Sequence, residues 1–421
     1  MIHYRTQSDS ISLRFWEPGE ILIFYLSLAL IFWAFVLIAE HRKDLHQLLV
    51  AAVIIAFVML AGFRWETGYD WIAYEQALTA APSLLHLSFT HLPDAVKPME
   101  PLFVILLSTI KTFGGTMQAL YLIVALFNGI AFYIFVRHCR ASVIFVFAIY
   151  FCWVYLLAQM ALIRQSIALS FLMLSLIRLD KSKHSSALAL FFIAIGFQSS
   201  VLMFLPIFLT KVYKKIIAFE IPILLALVAF YLSGISVFDM LGFAAEHAHF
   251  RFVAEKFQHY FSLGPSPKSI GTTIYLLINI FSFLYFSKIA NISSRLEKSL
   301  MLSILLTIIL EAVFWQFPVL WVRAHYFVVI AQAILLYKTW ETIRPLHRAV
   351  QLAAIFALSI VALVKPLLNE AALPYFPYQS NMRFIYTNDQ GDGRKRLEDY
   401  NLMASERECA LVKCRLDILS K

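Results

Sequence analysis

Apolar runs of about 17 to 20 residues recur along this chain from residue 21 to residue 366, each long enough to span roughly 30 Å of hydrocarbon as a helix. Hydrocarbon offers no partner to a backbone N–H or C=O, so such runs are compatible with little except α-helices that satisfy their own hydrogen bonds. The clearest cover 21–39, 46–62, 117–136, 141–158, 160–177, 216–233, 270–287, 299–316, 319–337 and 349–366. Only 14% of the 421 residues are charged and mean hydropathy is +0.75; a soluble domain carries about a quarter charged residues. The fold class that follows is an all-α polytopic membrane protein.

Two stretches leave the count open. Residues 101–113 are too short for an ordinary span and are interrupted by Lys111, and 185–210 are long for one crossing but short for two. Charge decides both. The net charge of +9 is spread over short loops at Arg42/Lys43, Arg137/Arg140, Arg178/Lys181/Lys183, Lys211/Lys214/Lys215, Lys288/Arg295/Lys298 and Lys338/Arg344/Arg348. Placing all of these in the cytoplasm obeys the positive-inside bias. It requires 101–113 to be a juxtamembrane or re-entrant helix and 185–210 to cross twice around Gln198-Ser199-Ser200. About twelve spans are then expected, with an extracytoplasmic N-terminal segment over 1–20, a membrane domain over 21–366 and an extracytoplasmic tail over 367–421. Basic groups spaced this way orient helices; they do not form a nucleic-acid surface. Residues 1–19 are mostly polar and lack a cleavable signal pattern.

This topology gathers the conspicuous polar residues on the outer face. The strongest passage is Phe63-Arg64-Trp65-Glu66-Thr67-Gly68-Tyr69-Asp70-Trp71-Ile72-Ala73-Tyr74, and it reads as the mouth of an active site. Thr67 and Asp70 have capping-box spacing, which sets Asp70 and Tyr74 one helical turn apart on a shared face. A carboxylate there suits deprotonation of a sugar hydroxyl, with Trp65, Tyr69 and Trp71 available to stack on sugar rings or to form an interfacial belt. Glu100, in Pro98-Met99-Glu100-Pro101, heads the non-crossing helix, either as a second carboxylate facing Asp70 or as a first-turn acid opposing the helix dipole.

Arg164 lies just inside the outer end of a span, and Arg323 repeats that position on a later one. An arginine at mid-membrane costs about 3 kcal/mol on insertion scales, less near the surface. The forked donors of two such residues match the oxygens of a pyrophosphate, with Arg64 as a third, and a clamp of this kind stabilises a leaving group without a metal. No metal site or cofactor is called for. Glu246-His247-Ala248-His249 has nothing nearby to complete a ligand set, and Arg394-Lys395-Arg396 reads as a solvated face. Cys139 and Cys152 read as packing residues, while Cys409 and Cys414 could pair in an oxidising compartment. No internal repeat argues for a transporter built from inverted halves.

Together these residues resemble the EpsG family of bacterial polysaccharide polymerases, related in role to Wzy-type O-antigen polymerases. The resemblance is carried by Arg64-x3-Gly68-x-Asp70-x3-Tyr74, Glu100-Pro101-Leu102-Phe103, Ile163-Arg164-Gln165-Ser166-Ile167-Ala168, Arg323-x2-Tyr326-Phe327 and the closing Pro374-Tyr375, over roughly 20–380. Where the family's turn reads Phe-His-Ser, this chain has Phe197-Gln198-Ser199, and a neutral amide cannot serve as a base. The resemblance implies a GT-C-type glycosyltransferase at the outer face of the bacterial cytoplasmic membrane, joining oligosaccharide repeats carried on undecaprenyl pyrophosphate. Asp70 and Glu100 would be catalytic; Arg64, Tyr74, Arg164, Gln165, Gln198, Arg323 and Tyr326 would bind substrate. The partners expected are the lipid-linked oligosaccharide, membrane lipid and a regulator of chain length. The alternatives are a lipid-oligosaccharide flippase, a ligase using the same donor, and an acyltransferase, which would want a histidine base in the core, where the spans offer no strong candidate.

Overall fold

The computed structural model describes residues 18–235, 237, 268–340, 344–387 and 391–404. Its helices in order are α1 (Pro18–His41), α2 (His46–Gly62), α3 (Trp71–Ala80), α4 (Pro101–Thr112), α5 (Met117–His138), α6 (Val143–Tyr150), α7 (Ile163–Asp180), α8 (His184–Phe197), α9 (Tyr213–Ala218), α10 (Glu220–Ser233), α11 (Ile270–Ile289), α12 (Arg295–Val313), α13 (Pro318–Trp340), α14 (Pro345–Leu367), α15 (Asn381–Thr387) and α16 (393–404). Among the described residues there is no β-strand, only an isolated bridge between Arg64 and Ser380. Of the helices among the described residues, seven are long and apolar enough to cross a membrane, or eight if α9 and α10, bent by 81°, count as one broken span. The molecule is therefore a polytopic all-α membrane protein.

α7 and α12, of 18 and 19 residues, are long enough to cross but carry more polar side chains than those seven. Their polar groups face protein: Gln165, Ser166, Ser170 and Ser175 on α7 and Ser299, Ser303, Thr307 and Glu311 on α12 are all buried. Small hydroxyl-bearing residues let helices approach closely and bond across the contact. Hydropathy alone therefore understates the two central helices. Residues of α6, α11, α13 and α14 line an apolar groove of about 790 Å³, walled by Ile149, Phe281, Leu336 and Leu358.

The two ambiguous stretches resolve locally. α4 is 12 residues long, too short for an ordinary span, with Glu100 before it and Pro101 at its first turn. Residues 185–210 form two short elements, α8 and a 3₁₀ helix over Ser199–Phe208, turning at an extended Gln198. The chain from α6 continues into a π-helical segment, Phe151–Ala161, and breaks at Leu162 before α7. That break sets where Arg164 begins.

Basic loops distant in sequence meet through side-chain and backbone hydrogen bonds. His138 pairs with Asp180 at 3.1 Å, Asp180 accepts from the Leu296 N–H at 3.2 Å, and Arg295 donates to Ser182 at 3.0 Å. Lys338 pairs with Glu297, and Arg348 with Glu40 at 3.7 Å. At the other end the tail returns to the first polar loop. Trp65 N–H donates to Gln379 O, Gly68 N–H to Pro374 O and Asn381 N–H to Phe63 O, each at 2.8 Å. Cys139 and Cys152 are buried free thiols, in keeping with packing roles. The Glu246–His249 stretch and Cys409 and Cys414 lie outside the described residues.

Candidate active site

The loop after α2 is built from its backbone outward. Carbonyls left free at the C-terminus of α2 are taken by side chains: Arg64 donates to Ala61 O and Gln118 to Gly62 O. Gly68 then adopts φ +103, and a Cβ there would lie 2.6 Å from Met160 O. Only glycine lets the loop sit directly on the α6–α7 break. The expected capping box does not form, because Thr67 Oγ1 bonds Trp65 O at 2.7 Å and α3 begins later, at Trp71. Asp70 occupies the N-cap position without capping, so its carboxylate is left for other work.

The Trp65, Tyr69 and Trp71 rings serve the fold. Trp65 packs on Phe384, Tyr69 on Tyr375 and Tyr400, and buried Trp71 lies under the Arg394 guanidinium. The tail's basic run is solvated at Arg394 and Lys395 but not at Arg396. Arg394 pairs with Glu75 at 2.8 Å, and Arg396 is buried, donating to Asp392 at 2.8 Å and towards Leu373 O and Pro377 O.

A second layer comes from three segments. Arg164 Nη1 donates to Glu100 Oε2 at 2.7 Å, while Glu100 Oε1 accepts from Ser199 N–H at 3.2 Å and Ser199 Oγ at 3.0 Å. Next to Arg164, Gln165 Oε1 accepts from Ser200 Oγ at 2.8 Å, and its buried Nε2 finds no hydrogen-bond partner among the described residues. Gln198 is buried beside them at the turn. Glu100 is thus the hub that ties α4, α7 and the Ser199 turn together.

Asp70 faces this layer. Burial pushes its carboxyl above the ordinary value, and the guanidinium groups of Arg164 and Arg323 pull it back. Tyr74, buried one turn on, lies beside Arg164, whose guanidinium carbon is 5.9 Å from the ring centre. Tyr326, one turn after Arg323, is close enough to feel both Arg323 and Asp70. The fold therefore assembles Asp70, Tyr74, Glu100, Arg164, Gln165, Gln198, Arg323 and Tyr326 from segments up to 256 residues apart. Arg64 is 2% exposed, with its guanidinium 3.7 Å from the Tyr121 ring centre.

Behind Arg164 lies a buried polar lattice. Asn128 donates to Gln159 Oε1 and Ser166 Oγ, each at 2.9 Å, and accepts from Ser170 Oγ at 2.7 Å; Gln159 donates to Tyr150 Oη at 2.8 Å. Behind Arg323 lies another. His325 Nε2 meets Glu311 Oε1 at 2.6 Å, Asn279 donates to Glu311 Oε2 at 2.8 Å, and Gln332 donates to Asn279 Oδ1 at 2.8 Å. The spans do hold a core histidine, contrary to expectation. Its signal was two isolated ionisable residues, Glu311 and His325, inside apolar runs, where such groups usually pair. Among the described residues no group of three or more His, Cys, Asp or Glu side chains forms a metal site.

A sequence profile of the EpsG family matches residues 47–380, from α2 to the tail segment that closes over the first loop. No curated protein and no solved structure matches the chain.

Proposed function

Since the chain belongs to the EpsG family, a family of Wzy-type polysaccharide polymerases, we propose that it polymerises oligosaccharide repeats carried on undecaprenyl pyrophosphate at the outer face of the bacterial cytoplasmic membrane. In this reading it is a GT-C-type glycosyltransferase with twelve spans and no cofactor. The observation that carries it is the half-buried Asp70 carboxylate held within the field of Arg164 and Arg323. One anion facing two cations from separate helices is an arrangement for one group that loses a proton and another that gains negative charge.

The step balances simply. The acceptor hydroxyl gives its proton to Asp70, and its oxygen bonds the anomeric carbon of the donor sugar. The bond from that carbon to the pyrophosphate oxygen breaks, and the electron pair leaves with the lipid pyrophosphate. Arg164 and Arg323 meet the charge that develops there, an interaction stronger in the transition state than in the bound substrate. Glu100 positions Arg164 and the Ser199 turn, Tyr74 and Tyr326 border the reacting groups, and the Gln165 and Gln198 amides offer neutral donors to sugar hydroxyls. Arg64 closes α2 beneath the site.

Gel analysis of surface polysaccharide tests the reading. Asp70→Asn and Arg164→Ala should each collapse the ladder to single repeats on lipid, and normal chain lengths from Asp70→Asn would overturn it. A reporter fused after residue 215 or 345 should stay in the cytoplasm; export would remove the outward site.

A further inference from the structure

α13 presents two different faces. Trp321, His325 and Gln332, spaced by four and seven residues, share one stripe; Arg323 and Tyr326, three apart, share another. The first stripe meets α11 and α12. His325 pairs with Glu311, its ring lies 5.1 Å from Tyr275 and 5.8 Å from Trp321, and Gln332 closes the chain through Asn279. His325, Glu311 and Asn279 are all buried. The second stripe faces Asp70.

Apolar packing alone leaves a helix free to rotate by small angles at little cost, because neighbouring aliphatic contacts substitute for one another. A chain of directional hydrogen bonds across three helices does not, since rotation would strand buried donors and acceptors. We propose that the Glu311–His325–Asn279–Gln332 chain is a positioning device: it sets the rotation of α13 and so aims Arg323 and Tyr326 at Asp70. His325 touches no reacting group in this arrangement; it acts through the helix that carries Arg323. This inference extends the polymerase reading, but its first test does not depend on that reading.

The test uses full-length protein in membranes. The Arg323→Cys thiol is titrated with a water-soluble thiosulfonate reagent, with and without His325→Ala or Glu311→Gln. A positioning chain predicts that His325→Ala changes the labelling rate about tenfold, whereas Glu311→Gln, an isostere whose oxygen accepts from Asn279 while its N–H donates to the unprotonated Nε2 of the other His325 tautomer, leaves it within about twofold. Equal labelling in all backgrounds overturns the proposal whether or not the chain makes polymer. The second arm reads polymer formation per folded molecule. His325→Ala should lower kcat about a hundredfold with little change in KM, as for a misplaced group, while Glu311→Gln retains activity. His325→Ala added to Arg323→Ala should cost nothing further. A Glu311→Gln variant as inactive as Glu311→Ala would assign the pair to proton transfer and overturn positioning, and additive losses in the double variant would overturn it as well.

Discussion

Arg164 Nη1 lies 2.7 Å from Glu100 Oε2, an ion pair joining the start of α7 to the residue ahead of α4. The carboxylate side chain is 3% exposed and also holds the Ser199 turn, so three segments share one charge. Removing one partner of such a pair leaves the other uncompensated, which costs about 3 kcal/mol or more. Glu100→Ala should lower the melting temperature in detergent and shorten polymer, while Glu100→Gln, still able to accept from Ser199, should lose less of both.

Asp70 gives a separable signature. Because the fold raises its pKa, the charged form costs more in the folded chain than in the unfolded one. Its contribution to stability is present below the unfolded value and is lost as pH rises through the raised folded value. Asparagine mimics the neutral form. Asp70→Asn should therefore melt at or above the native temperature at pH 7 while making no long polymer, and a lower melting point would contradict the burial account. In the native chain, polymerisation should fall away in acid above the ordinary carboxylate range, as the base becomes protonated.

Gly68 permits a backbone conformation that other residues adopt only with strain, directly against Met160 O. Gly68→Ala should destabilise by roughly 1–3 kcal/mol from backbone strain. It should also move Asp70 off the break before α7, so chain length should drop together with thermal stability.

Asn128 holds both ends of the α6–α7 break through Gln159, Ser166 and Ser170. Asn128→Ala leaves those groups buried and short of a partner, at about 1–3 kcal/mol. The expected outcome is a lower melting temperature, together with weaker polymerisation if Arg164 shifts with the break.

The tail offers a matched pair. Arg394, half exposed beside Glu75, should tolerate alanine within about 1 kcal/mol. Arg396 is buried against two carbonyls and Asp392, and its loss should free the tail from the first loop, read as protease cleavage after residue 380.

Much of the site was legible as residue types. Asp70, Glu100, Arg164 and Arg323 stood out because each is an ionisable group where an apolar chain can least accommodate one. Their partners did not. Thr67 and Asp70 had the spacing of a capping box, yet the helix starts later because Gly68 and the tail hold the loop in another shape. Arg64 carried the same charge as Arg164, but it stands next to the carbonyls of α2 and is drawn there. The Arg396 and His325 contacts depend on residues on other elements, which local pattern cannot supply.

The residues alone establish the class: long apolar runs can only be helices in lipid, and charged groups at their ends mark where chemistry can occur. Tertiary structure decided which charge meets which. Helical periodicity is set by neighbours within a few residues, whereas an ion pair such as Glu100–Arg164 exists only once separate helices have packed and excluded the water that would otherwise solvate both.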